Sequence, residues 1–160
     1  MAEVEIREAG VEDAALILRF ITDLARYEKA EHEVSASLAE IEHSLFGPKA
    51  TAKALVFGIA GEAIGYAVYF FNYSTWLGKP GLYLEDLYVS PEHRGKGTGR
   101  SVLQHLAKIA VVSGCGRFEW SVLDWNEPAI RFYKSLGAEP QAEWVAYRLD
   151  GTALTEFASA

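Results

Sequence analysis

Residues Val89-Ser90-Pro91-Glu92-His93-Arg94-Gly95-Lys96-Gly97-Thr98-Gly99-Arg100 decide how this chain is read. On their amino-terminal side, Leu82 to Val89 is rich in aliphatic and aromatic residues and reads as a strand. On the other side, Val102, Leu103, Leu106, Ala107 and Ala110 recur at helical spacing between Gly97 and Val112, and Gly114 closes that helix. A strand therefore runs into a glycine-rich turn that opens a helix. Gly95, Gly97 and Gly99 let the backbone take unusual dihedrals and approach a ligand closely. The first N–H groups of the helix lack acceptors and point at an anion, with the helix dipole helping. Arg94, Lys96 and Arg100 add positive charge. A diphosphate suits such a turn. The G-x-x-x-x-G-K-[ST] spacing of a P-loop is absent. The dinucleotide fingerprint is absent too, because the order is G-x-G-x-G and no first βα unit precedes it.

Working outward, Val4 to Arg7 reads as a first strand and Glu12 to Tyr27 as an amphipathic helix. Ser37 with Glu40 forms a capping-box signature for a shorter helix ending near Gly47-Pro48. Ala52 to Ile59 and Ala63 to Asn72 flank Gly61-Glu62 as a hairpin, and Gly78-Lys79-Pro80-Gly81 turns the chain again. Beyond the glycine turn, Arg117 to Leu123 reads as a strand. Asn126 to Leu136 reads as a helix with Asn126 as cap, Pro128 in the first turn and Gly137 as stop. Trp144 to Leu149 reads as a last strand, followed by a short helix or frayed tail. The element order predicts a single α/β domain over residues 1–160, with a mixed sheet.

The chain has 160 residues and a net charge of -7, so it lacks the basic footprint that nucleic-acid binding requires. No apolar run approaches the roughly 20 residues needed to span a bilayer. Met1 to Gly10 shows no basic segment followed by an apolar run, which predicts a cytoplasmic protein. Cys115 is the one cysteine, so no internal disulfide forms, and between Gly114 and Gly116 it reads as a packed turn residue. His32, His43, His93 and His105 have no metal-ligand spacing, and no metal is expected.

Arg94-Gly95-Lys96-Gly97-Thr98-Gly99 matches the R-x-x-G-x-G signature of the GNAT superfamily of N-acetyltransferases. Phe71 to Lys79, Leu82 to Val89 and Asp124 to Lys134 resemble its spermidine/spermine branch. The resemblance implies the GNAT fold: a central mixed, mostly antiparallel sheet with helices on both faces, splayed between Leu82–Val89 and Arg117–Leu123. It implies acetyl-CoA as co-substrate, held by Arg94, Gly95, Lys96, Gly97, Thr98, Gly99 and Arg100 at the diphosphate. Backbone groups of Leu87, Tyr88 and Val89 would hold the pantetheine arm, with an amide near Leu87 as oxyanion donor. Asn126 and Pro128 would also touch the coenzyme. A homodimer is implied as well.

Acyl transfer to an amine needs a proton removed from the amine, stabilisation of the carbonyl oxygen, and a proton for the departing thiolate. Tyr133 lies where the family places a tyrosine beside the coenzyme sulfur, and a phenol near pKa 10 is protonated at neutral pH and can donate. Its spacing with Ile130 and Leu136 equally suits core packing. Glu85 and Asp86 interrupt an apolar strand, where charge is costly unless paired or functional. Adjacent strand residues face opposite sides, so one of the two is expected in any given cleft. By resemblance Glu85 contacts the substrate amine and takes its proton through a water, and Tyr27 and Glu28 contact the substrate; Asp86 would strengthen an anionic site for a polycation. Nothing resembles an activated serine or cysteine nucleophile, so direct attack is expected.

The segment at Gly61-Glu62 and the loop Ala138 to Glu143 are shorter than in the polyamine enzymes, so a diamine or a thialysine-like amino acid stays open beside a polyamine. Two other readings stand beside amine acetylation. A coenzyme-binding regulatory module would need neither Tyr133 nor Glu85. Acetylation of protein amino groups would need an open peptide groove.

Overall fold

A computed structural model of the chain describes residues 3–160; Met1 and Ala2, part of the stretch read for a leader, lie outside them. The chain divides into two compact units, one ending at Ser121 and one beginning at Val122.

The first unit holds one sheet in the order β1-β2-β3-β4-β5. Its strands are β1 (Val4–Glu8), β2 (Lys53–Ile59), β3 (Glu62–Ser74), β4 (Lys79–Val89) and β5 (Phe118–Trp120). Neighbours from β1 to β4 pair antiparallel, and β5 joins β4 in parallel. The sheet is thus mixed and mostly antiparallel, as expected. β2 and β3 meet through Ala60 and Gly61, both with positive φ. That is the two-residue hairpin loop whose twist matches its strands. The turn therefore falls one residue earlier than Gly61-Glu62.

Helices α1 (Ala14–Tyr27) and α2 (Leu38–Phe46) cover one face. There Ile17, Phe20 and Ile41 pack on Val56, Tyr66, Val68 and Tyr88. Ser37 caps α2 by accepting from the Glu40 N–H at 3.1 Å. Helix α3 (Thr98–Val112) packs against β1 and β4, burying Val102, Leu103, Leu106 and Ala110. It ends in a Schellman turn: Gly114 has positive φ, and the Cys115 N–H reaches the Ala110 carbonyl at 2.9 Å. Cys115 is half-buried there, as a packed turn residue should be, and burial raises its thiol pKa.

Asp13, buried ahead of α1, accepts from both terminal nitrogens of Arg7 at 2.8 Å and from the Gly10 N–H at 2.9 Å. These bonds tie the start of α1 to the end of β1. At the far end of β3 the Arg117 guanidinium and the Leu77 N–H both meet the buried Ser74 hydroxyl.

The second unit contains α4 (Glu127–Ser135) and α5 (Gly151–Ala158). Two expectations fail near it. The strand expected over Arg117 to Leu123 is only Phe118–Trp120. Among the described residues no strand forms over Trp144 to Leu149, where Trp144, Val145, Tyr147 and Leu149 are exposed. Alternating apolar residues suit a strand, but a strand exists only where a neighbour supplies hydrogen bonds. Trp76 is also exposed, at 83%.

Candidate active site

The glycine turn has the backbone its sequence requires. Gly95 and Gly97 take φ of 73° and 86°, and Gly97 is the left-handed N-cap of α3. A Cβ at either position would meet no atom within 4 Å. The glycines are thus required by conformation, and the space above them is open. Gly99 lies within the helix and has no positive φ. The first intrahelical bond runs from the Ser101 N–H to the Gly97 carbonyl at 3.0 Å. The amides of Thr98, Gly99 and Arg100 therefore have no helical acceptor, the condition for binding an anion. Open space and orphan amides together fit a diphosphate. Thr98 is buried, and Arg100 is exposed on the same first turn.

Two of the basic residues also brace the turn. Arg94 Nε donates to the Val89 carbonyl at 2.7 Å, and its guanidinium lies over the rings of Tyr27 (4.8 Å) and Tyr88 (5.5 Å). Lys96 Nζ donates to the Glu92 carbonyl at 3.0 Å.

The strand feeding this turn is irregular where the carboxylates lie. In the β3–β4 register Val68 faces Asp86 and Tyr69 faces Leu84, so Glu85 is an inserted residue at a β-bulge. The strict alternation expected for Glu85 and Asp86 breaks at this point. Leu82 and Leu84 share a face with Tyr69, whereas Asp86 and Tyr88 share the opposite face with Tyr66 and Val68, beneath α1. Glu85 is exposed and Asp86 half-buried.

The bulge also marks where the sheet opens. β5 pairs with β4 only over Leu82 to Leu84, whereas β4 continues to Val89. The Ser90 N–H bonds to the Ile64 carbonyl of β3 at 2.7 Å. By the alternation of an antiparallel ladder, the Leu87 and Val89 N–H groups then face the other edge, beyond the end of β5. The expected splay requires such an edge, where β4 runs on past its pairing with β5.

Asp86 accepts a 2.6 Å hydrogen bond from the Tyr66 hydroxyl. Burial raises its carboxyl above the ordinary range, and that bond only partly offsets the rise. Glu28, just past α1, keeps contact with solvent, yet crowding around its carboxyl and the negative charge of Asp86 raise it too. Tyr66 is pushed far above the ordinary phenol value, first by burial and then by Asp86, Glu28 and Glu85. Glu28, Tyr66, Glu85 and Asp86 thus form one acidic cluster. Among the described residues, no Lys, Arg or His forms an ion pair with Asp86 or Glu28. Tyr27, exposed at the end of α1, stacks beneath Arg94 and so joins this cluster to the glycine turn.

Tyr66 was not singled out by its sequence context, an apolar strand where a tyrosine reads as core. The usable signal was chemical: a buried tyrosine hydroxyl requires a partner.

In the second unit, Tyr133 is half-buried in the last turn of α4, its ring 5.7 Å from that of Phe132. A Schellman turn holds that end: Gly137 has a φ of 90°, and the Ala138 N–H reaches the Tyr133 carbonyl at 3.2 Å. Asn126 occupies the N-cap position, but its side chain makes no capping bond. Capping therefore does not account for its side chain. Pro128 sits in the first turn, as expected. Among the described residues no cluster of His, Cys, Asp or Glu is arranged to hold a metal, and no helix is long and apolar enough to cross a membrane.

Comparisons with known proteins bear on this geometry. The thialysine N-epsilon-acetyltransferase of Mus musculus is 40% identical over 99% of both chains. Spermidine/spermine N(1)-acetyltransferase-like protein 1 of Homo sapiens is 30% identical over 96% of this chain and 24% of its own length. Among solved structures, an integron cassette protein from the mobile metagenome of V. cholerae superposes with a TM-score of 0.84 at 29% identity, covering 100% of this chain and 99% of its own. The model of the acetyltransferase (GNAT) family matches residues 18–138, a span that takes in the bulged strand, the glycine turn and α4. With the mixed sheet and the anion-ready turn in place, the chain belongs to the GNAT family of acetyltransferases, and it has that family's fold.

Proposed function

We propose that this enzyme transfers the acetyl group of acetyl-CoA to a primary amine of a small cationic substrate: a diamine, a polyamine or a thialysine-like amino acid. The observation that carries the reading is the acidic cluster of Glu28, Glu85 and Asp86 beside the glycine turn. Glu28 and Asp86, held above the ordinary carboxylate range, bind a cation readily, because its charge offsets the burial that raised them. The likeness to a thialysine acetyltransferase along the whole chain supports the substrate class.

On this reading acetyl-CoA supplies an acyl group activated as a thioester. The amides of Thr98, Gly99 and Arg100 hold its diphosphate, with Arg94 and Lys96 stiffening the turn. Leu87, Tyr88 and Val89 orient the pantetheine arm along the free edge of β4, and the Leu87 N–H donates to the carbonyl oxygen as it gains charge. Asn126 and Pro128 touch the coenzyme from the start of α4. Tyr27, Glu28 and Asp86 hold the substrate, Glu85 takes the amine proton through a water, and Tyr133 Oη gives a proton to the departing sulfur. Attack is direct. Residues 1–160 serve as a single acetyltransferase domain, and the enzyme works as a homodimer in the cytoplasm.

Release of free thiol from acetyl-CoA, measured against spermidine, putrescine, thialysine, lysine and a peptide, tests the reading. Turnover is expected with the small cationic amines. Turnover with the peptide alone would replace the substrate class, and turnover with none would leave a coenzyme-binding module.

A further inference from the structure

We propose that Tyr66 is a positioning residue for the amine substrate: its hydroxyl holds one oxygen of Asp86 so that the other meets a second cationic group of the substrate. The inference rests on the small-amine reading above and names the side chain that sets its preference for a second positive charge.

Packing explains the ring of Tyr66 but not its hydroxyl. The residue is fully buried, with its ring stacked on Phe20 at 5.9 Å and lying 6.4 Å from Tyr88, which itself lies 5.5 Å from Phe20. Phenylalanine would fill that layer without burying a polar atom. The hydroxyl crosses from β3 to β4 to reach Asp86 Oδ2 at 2.6 Å, within the usual range for a charge-assisted O–H bond. The rings of Phe20 and Tyr88 hold the donor still, so the carboxylate it grips has a fixed position.

The charges around Asp86 show what that carboxylate lacks. Glu28 faces it from the end of α1, Glu85 adjoins it in β4, and Tyr66 faces it from β3. Arg19 of α1 and Arg94 after β4 act on Tyr88 instead, and Arg94 is stacked over Tyr27 and Tyr88. A structural ion pair would bring a cation of the chain to Asp86; here its partner is a phenol. With Oδ2 occupied, Oδ1 is left to accept an ammonium from outside. Because the phenol fixes the carboxylate, the distance from Asp86 to the reacting amine is fixed too. Discrimination then depends on both the presence and the spacing of the second cation.

The test compares wild type and Tyr66→Phe with 1,3-diaminopropane and propylamine, which differ by one ammonium, between pH 6 and 9. The ratio of kcat/KM for the diamine over the monoamine should fall about tenfold, the size expected for losing one hydrogen bond to a charged group. The fall should lie in KM, with kcat for the diamine within about twofold, since the lost bond aims a binding group rather than a reacting one. The acid limb of kcat/KM should move to higher pH, because Asp86 without its donor takes up a proton more readily. In an Asp86→Asn background the Tyr66→Phe change should add nothing to the ratio.

An unchanged ratio, a loss confined to kcat, or full additivity with Asp86→Asn would overturn the role of Tyr66 while leaving the small-amine reading intact. Failure of the wild type to acetylate 1,3-diaminopropane would overturn this inference, and failure with every small cationic amine would overturn that reading as well. If Tyr66→Phe does not fold, 3-fluorotyrosine at position 66 keeps the shape and strengthens the donor. The acid limb must then move to lower pH, and no movement sinks the proposal.

Discussion

Replacing Gly97 by alanine tests whether the anion site is made by backbone conformation or by room for a ligand. Gly97 has a φ of 86° as the N-cap of α3, and an added Cβ would meet no atom within 4 Å. Steric overlap with the protein is therefore absent, and the whole penalty is conformational, about 1–2 kcal/mol for an L-residue in the left-handed region. The free enzyme escapes that strain by relaxing the turn, which moves the orphan amides of Thr98, Gly99 and Arg100 out of register. Rebuilding the turn around the coenzyme then returns the strain as lost affinity, about 5–30-fold. Calorimetric titration with coenzyme A should show that loss, and kcat at saturating acetyl-CoA should change little. Gly97→Asn supplies the control, because asparagine tolerates the left-handed region better than alanine although it is larger. The expected order of affinity is Gly, then Asn, then Ala. An asparagine variant weaker than the alanine variant would refute the reasoning and show that bulk above Gly97 is what the site rejects.

Tyr133→Phe should lower kcat by at least about 10²-fold with coenzyme A affinity nearly unchanged, as loss of a general acid requires; wild-type turnover would remove Tyr133 from the chemistry. Asp13→Asn should destabilise the protein by about 1.5 kcal/mol, the low end for hydrogen bonds to a charged group, because Arg7 is largely exposed. The Arg7 hydrogen bonds hold the Asp13 carboxyl below its ordinary value, so this stability is present above pH 4 and lost as pH falls through the lowered value; thermal melts of the two proteins should converge in acid. Asp86→Asn should act with the opposite sign. Burial raises that carboxyl, so ionised Asp86 costs stability at pH 8, and the variant should melt a few degrees higher there while binding a diamine less well. The gain should fade as pH falls through the raised value of Asp86. Gly65→Ala would set a Cβ on the Tyr88 carbonyl oxygen and the Phe57 ring, so denaturant titration should show a loss of about 3 kcal/mol or more.

Much of the fold was legible because its signals are local. The 3.6-residue period of α1 and α3, the Ser37 cap and the glycines at 95, 97, 114 and 137 each report a requirement met within a few residues. The strands of the antiparallel hairpins were legible for a similar reason, since short turns dictate which runs pair. Trp144 to Leu149 shows the limit: its alternation satisfies the local rule, but pairing is a property of a neighbour the pattern does not name.

The residues themselves therefore determined that a strand delivers a positive-φ glycine turn to a helix start, and that two acids interrupt that strand. Only the tertiary structure decided where the acids sit and what they meet. The bulge at Glu85 arises from the pairing of β4 with β3, which sets Asp86 on the Tyr66 face and ends the regular alternation. The Tyr66 hydroxyl reaches Asp86 across 20 positions of sequence, and Glu28 acts on Asp86 from the end of α1. Electrostatics and hydrogen bonding depend on distance in space, which sequence separation does not encode. Backbone dihedral preference is carried by each residue on its own, and so could be read in advance.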